Sequence, residues 1–267
     1  MKYAVLASGS QGNATYLQID DKEYLIDAGI SLRQIELRLH EINIKLNKID
    51  GVFITHEHID HVAGLASIIK KFNPRIYLSK GTYEGIKNEI KEAIDPINMR
   101  YLKKGEDLFL NGIRVVMIPL FHDANEPLGF RFIENEKSLV YITDTGYFPE
   151  GEYELISNAD DYVFESNHEP EILLNSNRYW GLKKRILDDN GHLSNEDSAV
   201  CICKVIGNRT KRVVLAHISR DCNLPEIGIL RYKEIFEKYG YLFDDYEVFF
   251  AKQDETTQLL EVWNWNK

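Results

Sequence analysis

Between residues 98 and 165 the chain passes through six short β-type runs, "MRYL", "DLFL", "IRVVMIP", "LGFRFI", "SLVYIT" and "DYVFE", with no helical period among them. Such runs must be hydrogen-bonded into a sheet, and an apolar sheet must be covered. On either side the pattern changes. Before it, the strand-like "KYAVLA", "ATYLQI", "EYLID", "GVFIT" and "RIYLS" give way to helical stretches. In "SLRQIELRLHEI", Ile35, Leu39 and Ile42 share one helical face, and Ser31 with Gln34 reads as a capping box. "HVAGLASIIKKF" reads as one helix opening at His61, and "TYEGIKNEIKEAI" as another with Ile86, Ile90 and Ala93 or Ile94 inward. After the β-rich middle come the helix "NEDSAVCICKVI", the strand "RVVLAH", the helix "EIGILRYKEIFEKYG" stopped by Gly240, and a last strand "YEVFF". This order suggests two sheets packed face to face with helices outside. No linker or composition break interrupts it, so residues 1–267 read as one domain.

The first residues, "MKYAVLASGSQGN", hold too short an apolar run for a secretory signal, and no run of about 18 apolar residues suggests a membrane span. Cys201, Cys203 and Cys222 are odd in number, which suits a reducing cytoplasm and no disulfide framework. A net charge of −10 argues against a generic nucleic-acid binder. Its distribution is uneven: residues 171–220 carry nine Lys/Arg against five Asp/Glu, a window of +4 that is able to hold a polyanion locally. A solvated face explains the same charges.

"THEHIDH", residues 55–61, places three of the eight histidines and an aspartate directly after an apolar strand. His56 and His58, two apart in an extended segment, point the same way, while Asp60 and His61 come as the chain turns into a helix. A solvated loop is the alternative, but metal coordination needs further ligands at other strand ends, and they are present. His122 follows "IRVVMIPLF", Asp144 follows "SLVYIT", and His217 follows "RVVLA". Histidine and aspartate without thiolate suit Zn²⁺, Mn²⁺ or iron.

These residues, with "DTG" at 144–146 and "LAH" at 215–217, resemble the metallo-β-lactamase superfamily. The resemblance implies an α/β fold of αββα sandwich type, with His56, His58 and His122 on one ion, Asp60, His61 and His217 on a second, and Asp144 bridging. "LASGSQGNATYL", "LIDAG", "FESNH", "GHLSNED" and "LAHISRDCN" resemble the WalJ/YycJ-type subgroup, regarded as 5′→3′ exonucleases on double-stranded DNA. Cys222 departs from the asparagine expected there, and the 72 residues between Asp144 and His217 leave little room for a β-CASP insertion, so none is expected.

Around the ligands, Ser194 with Asp197 three residues on reads as an N-cap, and a helix N-terminus suits a phosphate. His192 is then able to donate to a phosphate oxygen or protonate the leaving oxygen; a loop-filling histidine beside a plain cap is the alternative. The catalytic candidates are therefore Asp60, Asp144 and His192; the substrate-binding candidates are Ser8, Ser10, Asn13, His192, Ser194 and Asn195. A hairpin loop explains Ser8, Ser10 and Asn13 equally well. Asp27 is read as orienting a metal-bound histidine, or as a turn residue. His168 and His40 read as surface histidines, and Trp263 and Trp265 as packing a tail. The expected activity is a dinuclear metal-dependent phosphodiesterase, a 5′→3′ exonuclease on DNA with a 5′-phosphate, using a hydroxide held between the ions. A thioesterase or lactonase of the same fold is the alternative, and a non-catalytic signalling module a third.

Overall fold

The computed structural model describes residues 1–262, so Trp263 and Trp265 lie outside the described residues. Hydrogen bonds gather the strands into two seven-stranded sheets. The first contains, in order, β1 (Lys2–Ala7), β2 (Ala14–Ile19), β3 (Lys22–Ile26), β4 (Gly51–Phe53), β5 (Arg75–Ser79) and β6 (Met99–Leu102). A two-residue strand, Leu260–Glu261, pairs antiparallel with Lys2 and Tyr3 at the β1 edge. β1 to β3 form an antiparallel meander, and β3 to β6 run parallel.

Parallel neighbours need a crossover. Helix α1 (Leu32–Glu41) supplies the first, α2 (Ile59–Val62) and α3 (Leu65–Phe72) the second, and α4 (Lys80–Gly85) with α5 (Asn88–Lys91) the third. Alternate strand residues Leu6, Tyr16, Leu25, Val52 and Ile76 pack on Ile35, Leu39, Leu65 and Ile68 of these helices. The opposite face, with Tyr3, Leu17, Tyr24, Phe53 and Tyr77, is equally buried.

The second sheet contains β7 (Leu108–Leu110), β8 (Ile113–Pro119), β9 (Leu128–Glu134), β10 (Lys137–Ile142), β11 (Asp161–Glu165), β12 (Arg212–Ala216) and β13 (Glu247–Phe250). β9 and β10 form a hairpin, and β10 to β13 are parallel. Its helices are α6 (Tyr153–Ile156), α7 (Pro170–Asn175), α8 (Trp180–Leu187), α9 (Asn195–Val205) and α10 (Pro225–Lys238). Val140, Tyr162, Phe164, Val213 and Leu215 form one core with Ile202 of α9 and Tyr232 and Phe236 of α10. The three cysteines are buried free thiols. Burial pushes those of Cys201 and Cys203 up to about 12.

By its contacts the described chain divides into two compact units, one made of Met1–Leu108, Ala124–Leu128 and Ala251–Val262, the other of Phe109–Asp123 and Gly129–Phe250. The expected helix "HVAGLASIIKKF" is broken: α2 ends at Val62, and Gly64 starts α3 with its N–H on Ala28 O (2.7 Å). "TYEGIKNEIKEAI" is broken too, because Ile86 is extended (ψ 141°) and buries its side chain. α7 and α8 were not foreseen; α7 opens with Pro170 at its first turn. Gly240, at φ 80°, follows α10 as expected.

Candidate metal centre

β4 delivers the "THEHIDH" segment from the first sheet, and Ile59–Val62 closes it into one helical turn with His58 as N-cap. The imidazole centroid of His56 lies 4.6 Å from that of His58 and 4.0 Å from that of His61. His56 and His61 are fully buried. Three imidazoles this close do not arise from packing preference alone; their nitrogens are oriented by specific partners. His61 donates Nδ1–H to Asp27 Oδ2 (2.8 Å), which leaves Nε2 as the acceptor, with Asn13 Nδ2 donating towards it at 3.0 Å. Thr55 Oγ1 lies 3.0 Å from His56 Nδ1 and holds both oxygens of Asp27 at 2.9–3.0 Å. Burial raises the Asp27 carboxyl above the usual range, and His61 pulls against that shift.

Backbone packing makes this arrangement possible. Asn13 N–H and Ala28 N–H bond the carbonyls of Asp60 and His61 (2.7 and 2.8 Å), so the "SGSQGN" and "LIDAG" loops brace the motif from behind. Gly29 sits so close that a Cβ there would lie 1.6 Å from Asp60 O. Asn13, fully buried, closes its own loop by accepting from Gly9 N–H (2.9 Å). Ser8 is buried and Ser10 is exposed.

In the second unit the ends of β8, β10, β11 and β12 deliver His122, Asp144, Glu165 and His217. The loop before α9 adds His192. Single ligand atoms of Asp144, Glu165, His192 and His217 all lie within 4.8 Å of one another. His217 Nδ1 is 2.8 Å from Asp144 Oδ1 and 3.5 Å from Glu165 Oε1. Burial alone would lower the His217 imidazole, but Asp144 and Glu165 outweigh it and push it up to about 10. Glu165 is fully buried, which would raise its carboxyl, yet the His192 and His217 contacts hold it below its ordinary value. It takes His192 Nδ1–H at 2.7 Å on one oxygen and Thr145 N–H at 2.7 Å on the other. His122 donates Nδ1–H to Gly191 O (3.0 Å), leaving Nε2 3.3 Å from Asp123 and 3.8 Å from Asp144. Burial lowers the His122 imidazole and favours its neutral form.

This donor set fits divalent ions. Imidazoles fixed through Nδ1 by a carboxylate or a carbonyl, with Nε2 left to ligate, are the usual arrangement for metal histidines. Glu165 is the residue sequence reasoning missed as part of the cluster. Its signal was an acid at the last position of an apolar strand, "DYVFE", directly before "SNH".

The remaining sequence candidates fall as follows. Ser194 caps α9, accepting from Asp197 N–H (3.1 Å) and donating to Asp197 Oδ2 (2.6 Å). Asn195 is fully buried, bonded to Glu169, Asn223 and Ser166. His40 is exposed as expected. His168 is not a surface histidine: it is 1 % exposed, because a parallel bridge to Ser194 draws it inward. Burial first, then His192, pushes its imidazole down to about 4. The basic window is largely engaged within its own unit. Arg178 pairs with Asp221, Arg185 with Asp123, Lys204 with Glu150, Arg209 with Asp160 and Arg212 with Asp161, while Lys183 holds the carbonyls of Leu174 and Ser176.

Fold and donors together define a metal-dependent hydrolase, and a family model described as "Beta-lactamase superfamily domain" matches residues 22–218. The chain is 36% identical over 263 residues to "Exodeoxyribonuclease WalJ" of Streptococcus pneumoniae serotype 2 (strain D39 / NCTC 7466), covering 98% of each chain. It is 35% identical over 242 residues to "Exodeoxyribonuclease YycJ" of Bacillus anthracis, covering 90% of this chain and 91% of that one. Among solved structures, the metallo-β-lactamase fold protein YhfI from Bacillus subtilis superposes with a TM-score of 0.70 at 14% identity, over 96% of this chain and 98% of that one. The chain belongs to the WalJ/YycJ family of the metallo-β-lactamase superfamily.

Proposed function

We propose that this protein is a dinuclear phosphodiesterase that removes nucleotides 5′→3′ from double-stranded DNA carrying a 5′-phosphate. The observation that carries the reading is the 36% identity, over 98% of both chains, to a protein named an exodeoxyribonuclease. The whole chain acts as one catalytic domain in the cytoplasm. In this reading His56, His58 and His122 would hold one ion, Asp60, His61 and His217 would hold the other, and Asp144 would serve both. Zn²⁺, Mn²⁺ or iron, when bound, supplies Lewis acidity to the scissile phosphate and a hydroxide nucleophile at neutral pH.

The chain's own residues do the rest. Asp27 and Gly191 O fix the rings of His61 and His122 through Nδ1. His192, held through Nδ1 by Glu165, gives a proton from Nε2 to the leaving oxygen, and the Glu165 carboxylate stabilises the charged ring that precedes transfer. Asp60 and Asp144 complete the catalytic set. In the loop before β2, Ser10 is the exposed residue that meets a phosphate, while the buried Ser8 and Asn13 shape the loop and Asn13 holds His61, and Ser194 and Asn195 position the start of α9 behind His192.

The test uses chelator-stripped protein given back Mn²⁺ or Zn²⁺, and a duplex with a 5′-phosphate and a fluorophore at the opposite end of the same strand. Metal-dependent shortening from the phosphorylated end is expected, and folded His58→Ala and Asp144→Ala proteins should lack it. Turnover of a thioester or lactone with no loss of DNA would move the protein to small-molecule hydrolysis.

A further inference from the structure

His122 and Asp123 stand side by side just past β8, and one loop of the same unit fixes both. Asp123 N–H donates to Asn190 O (3.1 Å), and His122 Nδ1–H donates to Gly191 O (3.0 Å). That loop is pressed onto the end of α8: a Cβ at Gly191 would lie 2.3 Å from Arg185 O. α8 in turn supplies Arg185, whose Nε–H donates to Asp123 Oδ2. Backbone and side chain of Asp123 are thus both held, by elements that also hold the His122 ring.

These contacts decide which atoms face one another. With its proton on Nδ1, the His122 ring turns Nε2 out as an acceptor. The second oxygen of Asp123, Oδ1, lies 3.3 Å from that nitrogen, and Asp144 Oδ1 lies 3.8 Å from it. Three electron-rich atoms so placed repel one another, and the side chains of His122 and Asp144 are each only 2 % exposed, so water screens them little. The Asp123 side chain is 36 % exposed and has solvent to turn towards. An aspartate kept for its ion pair with Arg185 alone gains nothing by bringing its other oxygen against an acceptor. A proton on Nε2 would offset these contacts one at a time, whereas a divalent cation offsets them together.

We infer that Asp123 is a further ligand of the ion that His122 holds. It gives that ion a charged oxygen donor beside imidazole, and carboxylate oxygen raises the affinity for Mn²⁺ relative to Zn²⁺. Arg185 then has two opposed effects: it orients the carboxylate through Oδ2, and as a cation beside the ion it works against binding. The inference rests on the dinuclear reading above and adds to it a ligand and a metal preference for one of the two positions.

The test measures Mn²⁺ and Zn²⁺ affinity by competition with a chromophoric chelator for wild-type, Asp123→Asn, Asp123→Ala and Arg185→Gln proteins. Thermal midpoints in chelator check that each variant folds. Both Asp123 variants should weaken Mn²⁺ at one position by at least about 10-fold, the lower end of what losing even an outer partner of a ligand costs. Zn²⁺ should be weakened less. Arg185→Gln breaks the same ion pair but keeps the carboxylate, so its Mn²⁺ affinity should be held or tightened. Loading with Co²⁺ gives a second readout: the visible absorption, which follows coordination, should change in Asp123→Ala and persist in Arg185→Gln. Equal weakening in Asp123→Asn and Arg185→Gln, with matching Co²⁺ spectra, would show that the ion pair is all Asp123 supplies and overturn the assignment. Unchanged affinity in the Asp123 variants would overturn it too, and both results leave the dinuclear reading intact. Wild type that holds no divalent ion sinks that reading and the ligand together.

Discussion

At the scale of single residues, Glu165 and His192 act as a pair. The buried carboxylate leaves His192 only Nε2 with which to meet a substrate. Glu165→Gln and His192→Ala proteins are expected to lose about 10²- to 10⁴-fold in kcat while keeping their metal, as measured by steady-state DNA degradation beside metal analysis. Asp27 works at one remove, through His61. Asp27→Asn should weaken metal binding by about 10- to 100-fold, read by competition with a chromophoric chelator. His168 has a different signature. Its imidazole is held down at about 4, so it folds neutral, whereas the unfolded chain takes a proton near 6.5. The unfolded state binds more protons as pH falls, so this contribution is intact above about pH 6.5 and fades towards pH 4. Urea unfolding of metal-free protein should lose on the order of 2 kcal/mol from this residue between pH 7 and pH 5, a loss that His168→Asn should abolish.

At the scale of elements, the "LIDAG" loop is what holds the motif in place. Gly29 has no room for a Cβ against Asp60 O, so Gly29→Ala must move the loop or the motif. We expect destabilisation of about 3 kcal/mol or more, with loss of metal before global unfolding, seen by denaturation followed with and without Mn²⁺. Strands were the more legible elements: the period-2 runs from "KYAVLA" to "RVVLA" reappear as strands, since buried strands advertise themselves by β-branched and aromatic residues. Helices were less legible where contact overrode period. Apolar spacing in "HVAGLASIIKKF" spans Gly64 smoothly, yet Gly64 N–H donates to Ala28 O and the helix breaks there. α7 and α8 were missed because they are short, six and eight residues. In the site, residues at strand ends were readable one by one. Glu165 was not, since an acid closing a strand is as often a solvated terminus, and His168 was misread because the bridge that buries it joins residues 26 apart. Asn195 belongs with these: nothing in "GHLSNED" announces its bonds to Glu169 and Asn223.

At the scale of the molecule, charge and metal set the behaviour. The +4 window was readable as composition, but its partners come from outside it: Asp221, Asp123, Glu150, Asp160 and Asp161. Those acids engage five of the nine bases, and the carbonyls of Leu174 and Ser176 hold a sixth, Lys183. The slope of log affinity for DNA against log salt should be well short of the roughly −8 that nine phosphate contacts would give. Among the described residues no helix is long and apolar enough to cross a membrane. Removal of the ions strips the folded state of a ligand the unfolded chain does not hold, so the thermal midpoint should drop in chelator and recover with added Mn²⁺ or Zn²⁺. The three buried thiols make a clock of such events. With Cys201 and Cys203 held near 12 inside α9 and Cys222 sealed beside Leu173 and Ile186, an alkylating reagent meets a thiolate only when that part of the chain opens. Labelling of Cys222 therefore times the local loosening of the loop after His217, while labelling of Cys201 and Cys203 times the opening of α9 and its core. One reagent, read residue by residue, separates the breathing of the loop after His217 from the unfolding of the sheet beneath it.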